Sequence, residues 1–224
     1  MTYKWDYLDT QGYNNKTGRY RSAVQLKFIR DNVDRKFDSL LDIAGGSGRI
    51  AIPLLDYSSN ITVTDIDESA LQILKERNLG IHTVCDDFTH SEFGSTFSLI
   101  VCIEGPDYFK DWPAFFRKVS SLLEKEGKFI FTYTNPSSWR YILRKVKQLG
   151  KKDPYHVLKY KDLEKLLCDC NLKIEKKDGF NWTLLPVISN SALTSVFAFI
   201  EKTFRLNKWH SQSPWLMISV KKEN

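Results

Sequence analysis

The chain has 224 residues, of which 42% are hydrophobic and 27% charged. This balance is typical of a globular protein and excludes a disordered or membrane-embedded class. No uncharged apolar run approaches the ~20 residues that a membrane-spanning helix needs, and the first residues lack the apolar core of a secretion signal. The sequence therefore predicts a cytoplasmic protein that forms a single domain over residues 1–224.

The net charge of +6 is concentrated in one part of the chain. Residues 140–178 contain 12 Lys and Arg against 6 Asp and Glu, which equals the entire excess. Such a segment is either a solvated helix face or a surface that attracts an anionic partner, such as nucleic acid or an acidic membrane. The four cysteines have no metal-ligand spacing, so no metal is predicted.

The first segment in chain order, residues 1–37, is polar and aromatic and contains one predicted helix. This pattern predicts an N-terminal helical and aromatic cap. Strands and helices then alternate. Strands are predicted at 37–44, 60–67, 80–87, 96–105, 128–134, 171–180 and 214–223, and helices at 21–36, 48–57, 68–78, 111–127, 137–150, 159–170 and 191–207. This alternation predicts an α/β fold, a mostly parallel sheet with helices on both faces. Ligands bind such sheets beyond the carboxyl ends of the strands.

The first strand and helix enclose a glycine-rich turn, "DIAGGSGRIA", that suits an adenosine-bearing cofactor. Gly46, Gly48 and Ala51 fit the dinucleotide pattern G-x-G-x-x-A, and Asp65 follows at the end of the next strand. Asp42 favours a different cofactor, because a carboxylate there repels a pyrophosphate and attracts an ammonium or sulfonium group. At a separation of about 4 Å and an effective dielectric near 20, that interaction is worth up to about 4 kcal/mol.

Five segments in order resemble the class I S-adenosylmethionine-dependent methyltransferases of the small-molecule type. They are "LLDIAGGSG", "VTDID", "VCDDF", "FSLIVCIEG" and "LLEKEGKFIFTYT", and they span residues 40–134. The first resembles the motif D-x-G-x-G-x-G, with Ala44 in place of its first glycine. The resemblance implies a doubly wound sheet of seven strands, mostly parallel with the last strand antiparallel, in a single methyltransferase domain that binds S-adenosyl-L-methionine.

The resemblance also implies roles for individual residues around the cofactor. Asp42, Ala44, Gly46 and Gly48 would frame its methionine end, Asp65 would accept the ribose hydroxyls, and Asp86 would receive the adenine amino group. The remaining implied neighbours of the cofactor are Ile66, Phe88, Glu104, Tyr13 and Tyr20. Asp67 precedes a helix, which favours an N-cap for this residue.

The acceptor side is predicted from topology. Because the resemblance implies an antiparallel last strand, residues 181–213 would leave and return at the ligand edge, as a helical insertion that forms either a lid or packing on the sheet edge. The apolar stripe of its helix favours edge packing. The predicted substrate contacts are Tyr108, Tyr133, Trp139, Tyr155, Trp182 and His210. His156, which precedes the helix at 159–170, is the candidate catalytic base.

The functional prediction is methyl transfer from S-adenosylmethionine to a small-molecule acceptor, with O-methylation preferred and a sugar, lipid precursor or secondary metabolite as the acceptor. Two alternatives stay open: an NAD(P)-dependent oxidoreductase and a non-catalytic regulatory or assembly protein that kept the cofactor fold. Nucleic acid is not an expected partner, because the Asn135-Pro136 pair follows the fifth strand rather than the fourth, where amino-directed DNA methyltransferases carry theirs. Peripheral contact with an anionic membrane is an open prediction, and the oligomeric state is not predicted.

Overall fold

The structure is a computed structural model that describes residues 12–33, 36–147 and 155–223. The first eleven residues of the predicted cap lie outside these ranges. The helices are α1 (Lys16–Asn32), α2 (Glu68–Glu76), α3 (Trp112–Leu122), α4 (Trp139–Lys147), α5 (Tyr160–Asp169) and α6 (Leu193–Thr203). The strands are β1 (Leu40–Ile43), β2 (Ile61–Asp65), β3 (His82–Cys85), β4 (Phe97–Cys102), β5 (Leu123–Thr134), β6 (Leu172–Phe180) and β7 (Trp215–Lys222).

The seven strands form one sheet in the order β3-β2-β1-β4-β5-β7-β6. β1 pairs in parallel with β2 and β4, whereas β7 is antiparallel to both β5 and β6. The predicted seven-stranded, mostly parallel sheet with an antiparallel last strand is confirmed. The chain order reverses between β1 and β4, so the carboxyl ends of these strands flank the switch point at which ligands bind.

Both faces of the sheet are covered by helices. In β4, Ile100 and Cys102 belong to the core cluster that includes α3 and α5, whereas Leu99 and Val101 belong to the cluster that includes α1 and α2. This alternation follows from the two-residue period of a strand. The double cover leaves the carboxyl edge of the sheet as the place for a ligand.

Three of the helix predictions differ from the structure in ways that have a physical cause. The helix expected at 48–57 is a series of turns with one 3₁₀ segment, Ile52–Leu54, in which Pro53 has no N–H to continue an α-helix. Helix α3 ends at Leu122, and residues 123–127 extend strand β5 instead. Helix α1 begins at Lys16, five residues before the predicted start.

Helix α6 of the insertion at 181–213 packs against α1, and the Leu206–Lys208 segment that follows it lies along the edge strand β6. The hydroxyls of Thr17 and Thr194 lie 2.9 Å apart, and the Tyr20 hydroxyl donates a 2.8 Å hydrogen bond to Glu201. The predicted packing of the α6 apolar stripe is wrong, because these polar groups occupy the contact and the apolar side chains face solvent. None of the described helices is long and apolar enough to cross a membrane.

Candidate cofactor and acceptor site

The glycine-rich turn after β1 brings backbone close to side chains in a way that only small residues permit. A Cβ on Gly45 would lie 2.7 Å from Cγ of Asp42 and 2.7 Å from Cγ1 of Val63. Gly48 and Ala44 have φ of 87° and 55°, in the left-handed region that favours glycine. Ala44, which replaces the first glycine of the motif, is therefore strained at this position.

Asp42, at the carboxyl end of β1, is a buried carboxylate whose two oxygens have no hydrogen-bond partner among the described residues. Burial raises its pKa to about 7, although the nearby Arg49 guanidinium acts in the opposite direction. In its ionised form this carboxylate makes the edge of the sheet favourable for a cation and unfavourable for a pyrophosphate.

Asp65, at the carboxyl end of β2, ties the glycine-rich turn to the next loop. Its two oxygens accept hydrogen bonds from the amides of Gly46 at 2.9 Å and Asp67 at 3.0 Å. Burial raises the pKa of Asp65, and these two amide bonds oppose the rise. Asp67 caps α2 by accepting from the amides of Ser69 and Ala70, which confirms its predicted N-cap role.

The loops after β2 and β3 present one apolar and one acidic side chain beside Asp65. Ile66 is 77% exposed, the largest value among the large apolar side chains of the described residues. Asp86 is exposed, and its amide donates to the Asp65 carbonyl at 3.1 Å, which holds the two strand ends together. Asp87 instead accepts from the amide and hydroxyl of Thr89 in a local turn.

The predicted contact of Phe88 with the cofactor is wrong. Its side chain is only 3% exposed, and its ring packs in the core against Phe93, Phe109 and Phe115. An apolar ring that is surrounded by other rings has little surface left for a ligand. Phe88 therefore packs in the core under the loop that carries Asp86, and it does not contact the adenine.

Glu104, just beyond β4, gathers four donors from other parts of the chain. It accepts hydrogen bonds from the Tyr13 hydroxyl, from Arg21 at 2.8 Å and from Gln25 at 2.7 Å, and Arg49 lies 3.7 Å away. Burial alone would raise the pKa of Glu104, but these two guanidinium groups and the hydrogen bonds lower it. Glu104 therefore stays ionised and fixes α1 over the switch point.

A cavity of about 610 Å³ opens next to this cluster. Glu104 and Arg21 lie on its wall toward β4, and residues from the β4–α3 loop, α4 and the insertion complete it. The lining includes Asp107, Tyr108, Thr134, Trp139, Leu143, Arg144, Lys147, Tyr155, Leu184 and Trp215. The cavity therefore combines aromatic, apolar and cationic groups, and it lies on the β5–β7 side of the site.

Comparison with known proteins identifies the domain. Residues 40–127 match the model of a family described as a methyltransferase domain. The chain has the fold of the class I S-adenosylmethionine-dependent methyltransferases. The fold agrees with solved structures, among them an N-methyltransferase from Bradyrhizobium japonicum WM9 in complex with S-adenosylhomocysteine (15% identity, 97% of this chain and 91% of that chain, TM-score 0.65). Another is magnesium protoporphyrin IX methyltransferase from Synechocystis PCC 6803 with bound S-adenosylhomocysteine (13% identity, 97% of each chain, TM-score 0.66).

Similarity to a curated protein is more limited in extent. The ubiquinone biosynthesis O-methyltransferase of Coxiella burnetii is 24% identical over 126 residues, which are 54% of this chain and 54% of that protein. The chain thus spans about half the length of the curated relatives of this kind. The insertion at 181–213 lies outside the family match at 40–127.

The described residues fit the cofactor of a methyltransferase domain. Both oxygens of buried Asp42 lack donors, and Nε of buried Arg21 lacks an acceptor among the described residues. These two orphaned groups match the ammonium and carboxylate of a methionine moiety. Asp65, Ile66 and Asp86 occupy the strand ends at which the ribose and adenine would be held. Within the described residues, no cluster of His, Cys, Asp and Glu could hold a metal ion.

The other predicted site residues are distributed over different parts of the methyltransferase domain. Tyr108, Trp139 and Tyr155 line the cavity. Tyr133 does not line it, because its ring is buried and its hydroxyl donates to the Leu158 carbonyl at 2.7 Å. Tyr20 lies between α1 and α6, as described above, and is bound to Glu201 rather than to the cofactor edge.

The remaining three predictions concern the insertion and the candidate base. Trp182 and His210 are not among the cavity-lining residues, although Trp182 Nε1 and His210 Nε2 are buried without partners in the described part of the chain. Burial lowers the pKa of His210 and favours the neutral ring. His156 is exposed and does not line the cavity; its amide and carbonyl bond to Asp107 and Trp112.

Several residues of the site were not predicted from the sequence, and four of them are charged side chains that hold or line it. Arg21 and Arg49 hold Glu104, Asp107 lines the cavity, and Arg140 donates to the carbonyls of residues 181, 183 and 185 in the insertion. Arg49 directly follows the glycine motif and Asp107 follows Glu104 by three residues, so proximity to the motifs could have indicated both. Nothing local in the sequence indicates the partners of Arg21 and Arg140.

Proposed function

We propose that the protein transfers a methyl group from S-adenosylmethionine to a hydroxyl of a small amphiphilic molecule held in the cavity beside Glu104 and Asp107. The observation that carries this proposal is the position of the cavity at the carboxyl ends of β4 and β5, with Glu104 on its wall and Arg49 of the glycine-rich turn 3.7 Å from Glu104. Its aromatic and apolar lining suits a ring or chain, and its cations suit an anionic group on the same molecule. A lipid precursor or a secondary metabolite with these features fits better than a neutral sugar.

The chain's own residues would bind and orient the two substrates. Asp42, Asp65 and Asp86 would hold the cofactor, with Arg21 and Arg49 toward its carboxylate. The chemistry that S-adenosylmethionine supplies is an electrophilic methyl group on a sulfonium centre. The protein would contribute orientation and exclusion of water, which the packing of α1 and the insertion over the switch point supports.

Asp107 is our candidate for the group that takes the hydroxyl proton of the acceptor. It lines the cavity, and Thr134 Oγ1 donates to its carboxylate, which fixes the orientation of the side chain. A positioned carboxylate within reach of the hydroxyl would accept the proton as the oxygen–methyl bond forms. His156, the base predicted from the sequence, lacks a place on the cavity wall, and we keep it as the competing candidate.

The function is tested by supplying S-adenosylmethionine with an isotopically labelled methyl group to the protein together with fractionated polar and lipid extracts. Labelled products that carry an O-methyl group are expected, and Asp65→Ala should abolish them. Label only on nitrogen or carbon would overturn the O-directed part of the proposal. No labelled product from any fraction, with intact cofactor binding, would favour the non-catalytic alternative.

Asp107→Asn and His156→Ala then separate the two candidate bases. Removal of a general base costs about a hundredfold or more in turnover, and we expect that loss for Asp107→Asn only, with its pH–rate profile losing the acidic limb. If His156→Ala gives the loss and Asp107→Asn does not, the base assignment is wrong.

We also propose that the insertion at 181–213 is the lid of the acceptor cavity. Leu184 supplies part of the lining, and the Tyr20–Glu201 and Thr17–Thr194 contacts hold α6 against α1. Tyr20→Phe removes one of these contacts without creating a cavity. The acceptor KM should rise severalfold while cofactor affinity stays within about twofold; an equal loss of both would argue against a lid.

A further inference from the structure

Helix α6 presents its polar side to the protein and its apolar side to solvent. Its buried residues are Thr194 and Glu201, which contact α1. Its exposed apolar residues are Leu193, Val196, Phe199 and Ile200, followed by Phe204, and the phenylalanines are 68% and 65% exposed. Large apolar side chains exposed together on one helix face indicate a contact surface.

Helix α4 has the same character at the neighbouring edge of the domain. None of its residues is buried, and Ile142, Leu143 and Val146 are each more than half exposed. Arg144, Lys145 and Lys147 lie in its last turn, and the helix contains no acidic residue. A helix with exposed apolar residues and several cations is typical of a segment that lies in a membrane interface.

The two helices are connected through the cavity wall, to which α4 and the start of the insertion contribute residues and α6 does not. Both emerge at the carboxyl edge of the sheet, α4 after β5 and α6 between β6 and β7. Arg140 of α4 donates hydrogen bonds to carbonyls of residues 181, 183 and 185, which precede α6. Leu143 and Leu184 line the same cavity. We call this surface the cavity rim; it comprises Ile142, Leu143, Val146, Leu184, Ile188, Leu193, Val196, Phe199, Ile200 and Phe204.

The charges around the cavity rim decide which partner suits it. The insertion adds Lys202 and Arg205 to the cations of α4, and the acidic residue of α6, Glu201, is buried against Tyr20. Two copies of the chain that met through this face would bring the cations of both α4 helices together. A partner that is negatively charged at its surface and apolar beneath it complements both the cations and the apolar side chains.

We propose that the cavity rim docks on an anionic phospholipid bilayer, with the apolar side chains of α4 and α6 in the interface and the Lys and Arg side chains on lipid phosphates. The docked orientation turns the mouth of the cavity toward the lipid. This inference goes beyond methyl transfer and does not depend on it, because vesicle binding requires neither cofactor nor turnover.

The test is co-sedimentation of the full chain with vesicles of phosphatidylglycerol and phosphatidylcholine in equal parts, and with vesicles of phosphatidylcholine alone. Binding is expected to the anionic vesicles and to weaken at high salt. Phe199→Asp with Phe204→Asp should weaken it at least tenfold. Lys145→Gln with Lys202→Gln should weaken it by about fivefold per lysine.

Matched controls come from the amino ends of the strands, on the side of the sheet opposite the ligand. Leu79, 41% exposed before β3, and Lys36, exposed before β1, lie at the amino ends of strands. Leu79→Asp and Lys36→Gln should bind vesicles as the unchanged protein does. Unchanged S-adenosylhomocysteine binding by each rim variant shows that it is folded, since the rim excludes the cofactor residues.

Three outcomes would overturn the proposal. The first is no binding of the unchanged protein to anionic vesicles, and the second is equal weakening by the rim and control variants. The third is a concentration-dependent dimer that Phe199→Asp with Phe204→Asp abolishes while vesicle binding is absent, which would assign the rim to a second copy of the chain.

Discussion

The two halves of the site are built in different ways. At the carboxyl ends of β1, β2 and β3, short loops present carboxylates and tightly turned backbone, and the groups that matter lie within a few residues of each other. On the β5–β7 side, the cavity is assembled from side chains of α1, α4 and the insertion, joined by contacts such as Tyr20–Glu201 and Arg140–Thr183. The difference indicates that the cofactor half is fixed by local backbone requirements and the acceptor half by long-range packing.

The largest expected effect on ligand binding is confined to the cofactor half. Asp65→Ala removes the acceptor of the Gly46 and Asp67 amides together with the proposed ribose ligand. Because a charge-assisted bidentate contact would be lost, we expect affinity for S-adenosylhomocysteine to fall at least about a hundredfold, or about 3 kcal/mol. Calorimetry measures this, and a loss below threefold would refute the assignment of Asp65.

Glu104 connects the two halves, and its removal should affect the stability of both. Glu104→Gln leaves Arg21 and Arg49 buried without their anion, at a cost of about 3 kcal/mol in the free energy of unfolding. Because the folded pKa of Glu104 is lowered, its stabilisation is present above the unfolded carboxyl pKa and lost as pH falls through the folded value. Denaturant unfolding of the variant should therefore converge on that of the unchanged protein in acid, whereas the exposed Glu92→Gln control should change little.

Asp42 should make the cofactor half sensitive to pH near neutrality. With its pKa at about 7 in the free protein, the ionised form that attracts a cationic cofactor increases as pH rises. Affinity for S-adenosylmethionine should therefore increase about tenfold from pH 6 to 8, and Asp42→Asn should weaken binding and flatten this dependence. A profile that Asp42→Asn leaves unchanged would contradict the role of this carboxylate.

The same raised pKa predicts how the stability of the free protein depends on pH. The folded chain retains the Asp42 proton above the pH at which the unfolded chain releases it, so the free energy of unfolding should fall as pH rises from about 4 to 7, by up to about 4 kcal/mol. Asp42→Asn should remove most of this fall. Thermal melts at several pH values, compared with Asp56→Asn, provide the measurement.

The smallest expected effect concerns the backbone of the turn. Position 44 has a φ of 55°, which glycine tolerates better than alanine. Ala44→Gly should therefore stabilise the protein by about 0.5–1 kcal/mol. The methyl group of Ala44 lies over Gly105, where a Cβ would come within 2.9 Å of it. A lower melting temperature for Ala44→Gly would mean that packing of this methyl group outweighs the strain.

The same contrast explains how much the sequence predicts. The glycine-rich turn and the N-cap at Asp67 follow from short patterns, because each is a local requirement of backbone geometry, whereas the antiparallel last strand is implied by the family resemblance. The polar contact of α6 with α1 follows from neither, since Thr17 and Thr194 are 177 positions apart. A stripe of apolar residues in α6 predicts burial, and only the tertiary structure shows that the opposite side of this helix is buried.

The boundary errors have similar causes. Residues 48–57 have the apolar spacing of a helix, but Pro53 and the tight glycine turn favour 3₁₀ geometry. Phe88 follows an acidic motif and resembles a ligand contact, yet the surrounding phenylalanines bury it. In both places the correct outcome depends on neighbours that the local pattern does not identify.

Calorimetry of one preparation with S-adenosylmethionine, S-adenosylhomocysteine and NAD tests the central claim most directly. The orphaned carboxylate of Asp42 and the strand order of a class I methyltransferase predict binding of both sulfur ligands and no heat with NAD. Tight binding of NAD without a response to either sulfur ligand would contradict the account and favour an oxidoreductase.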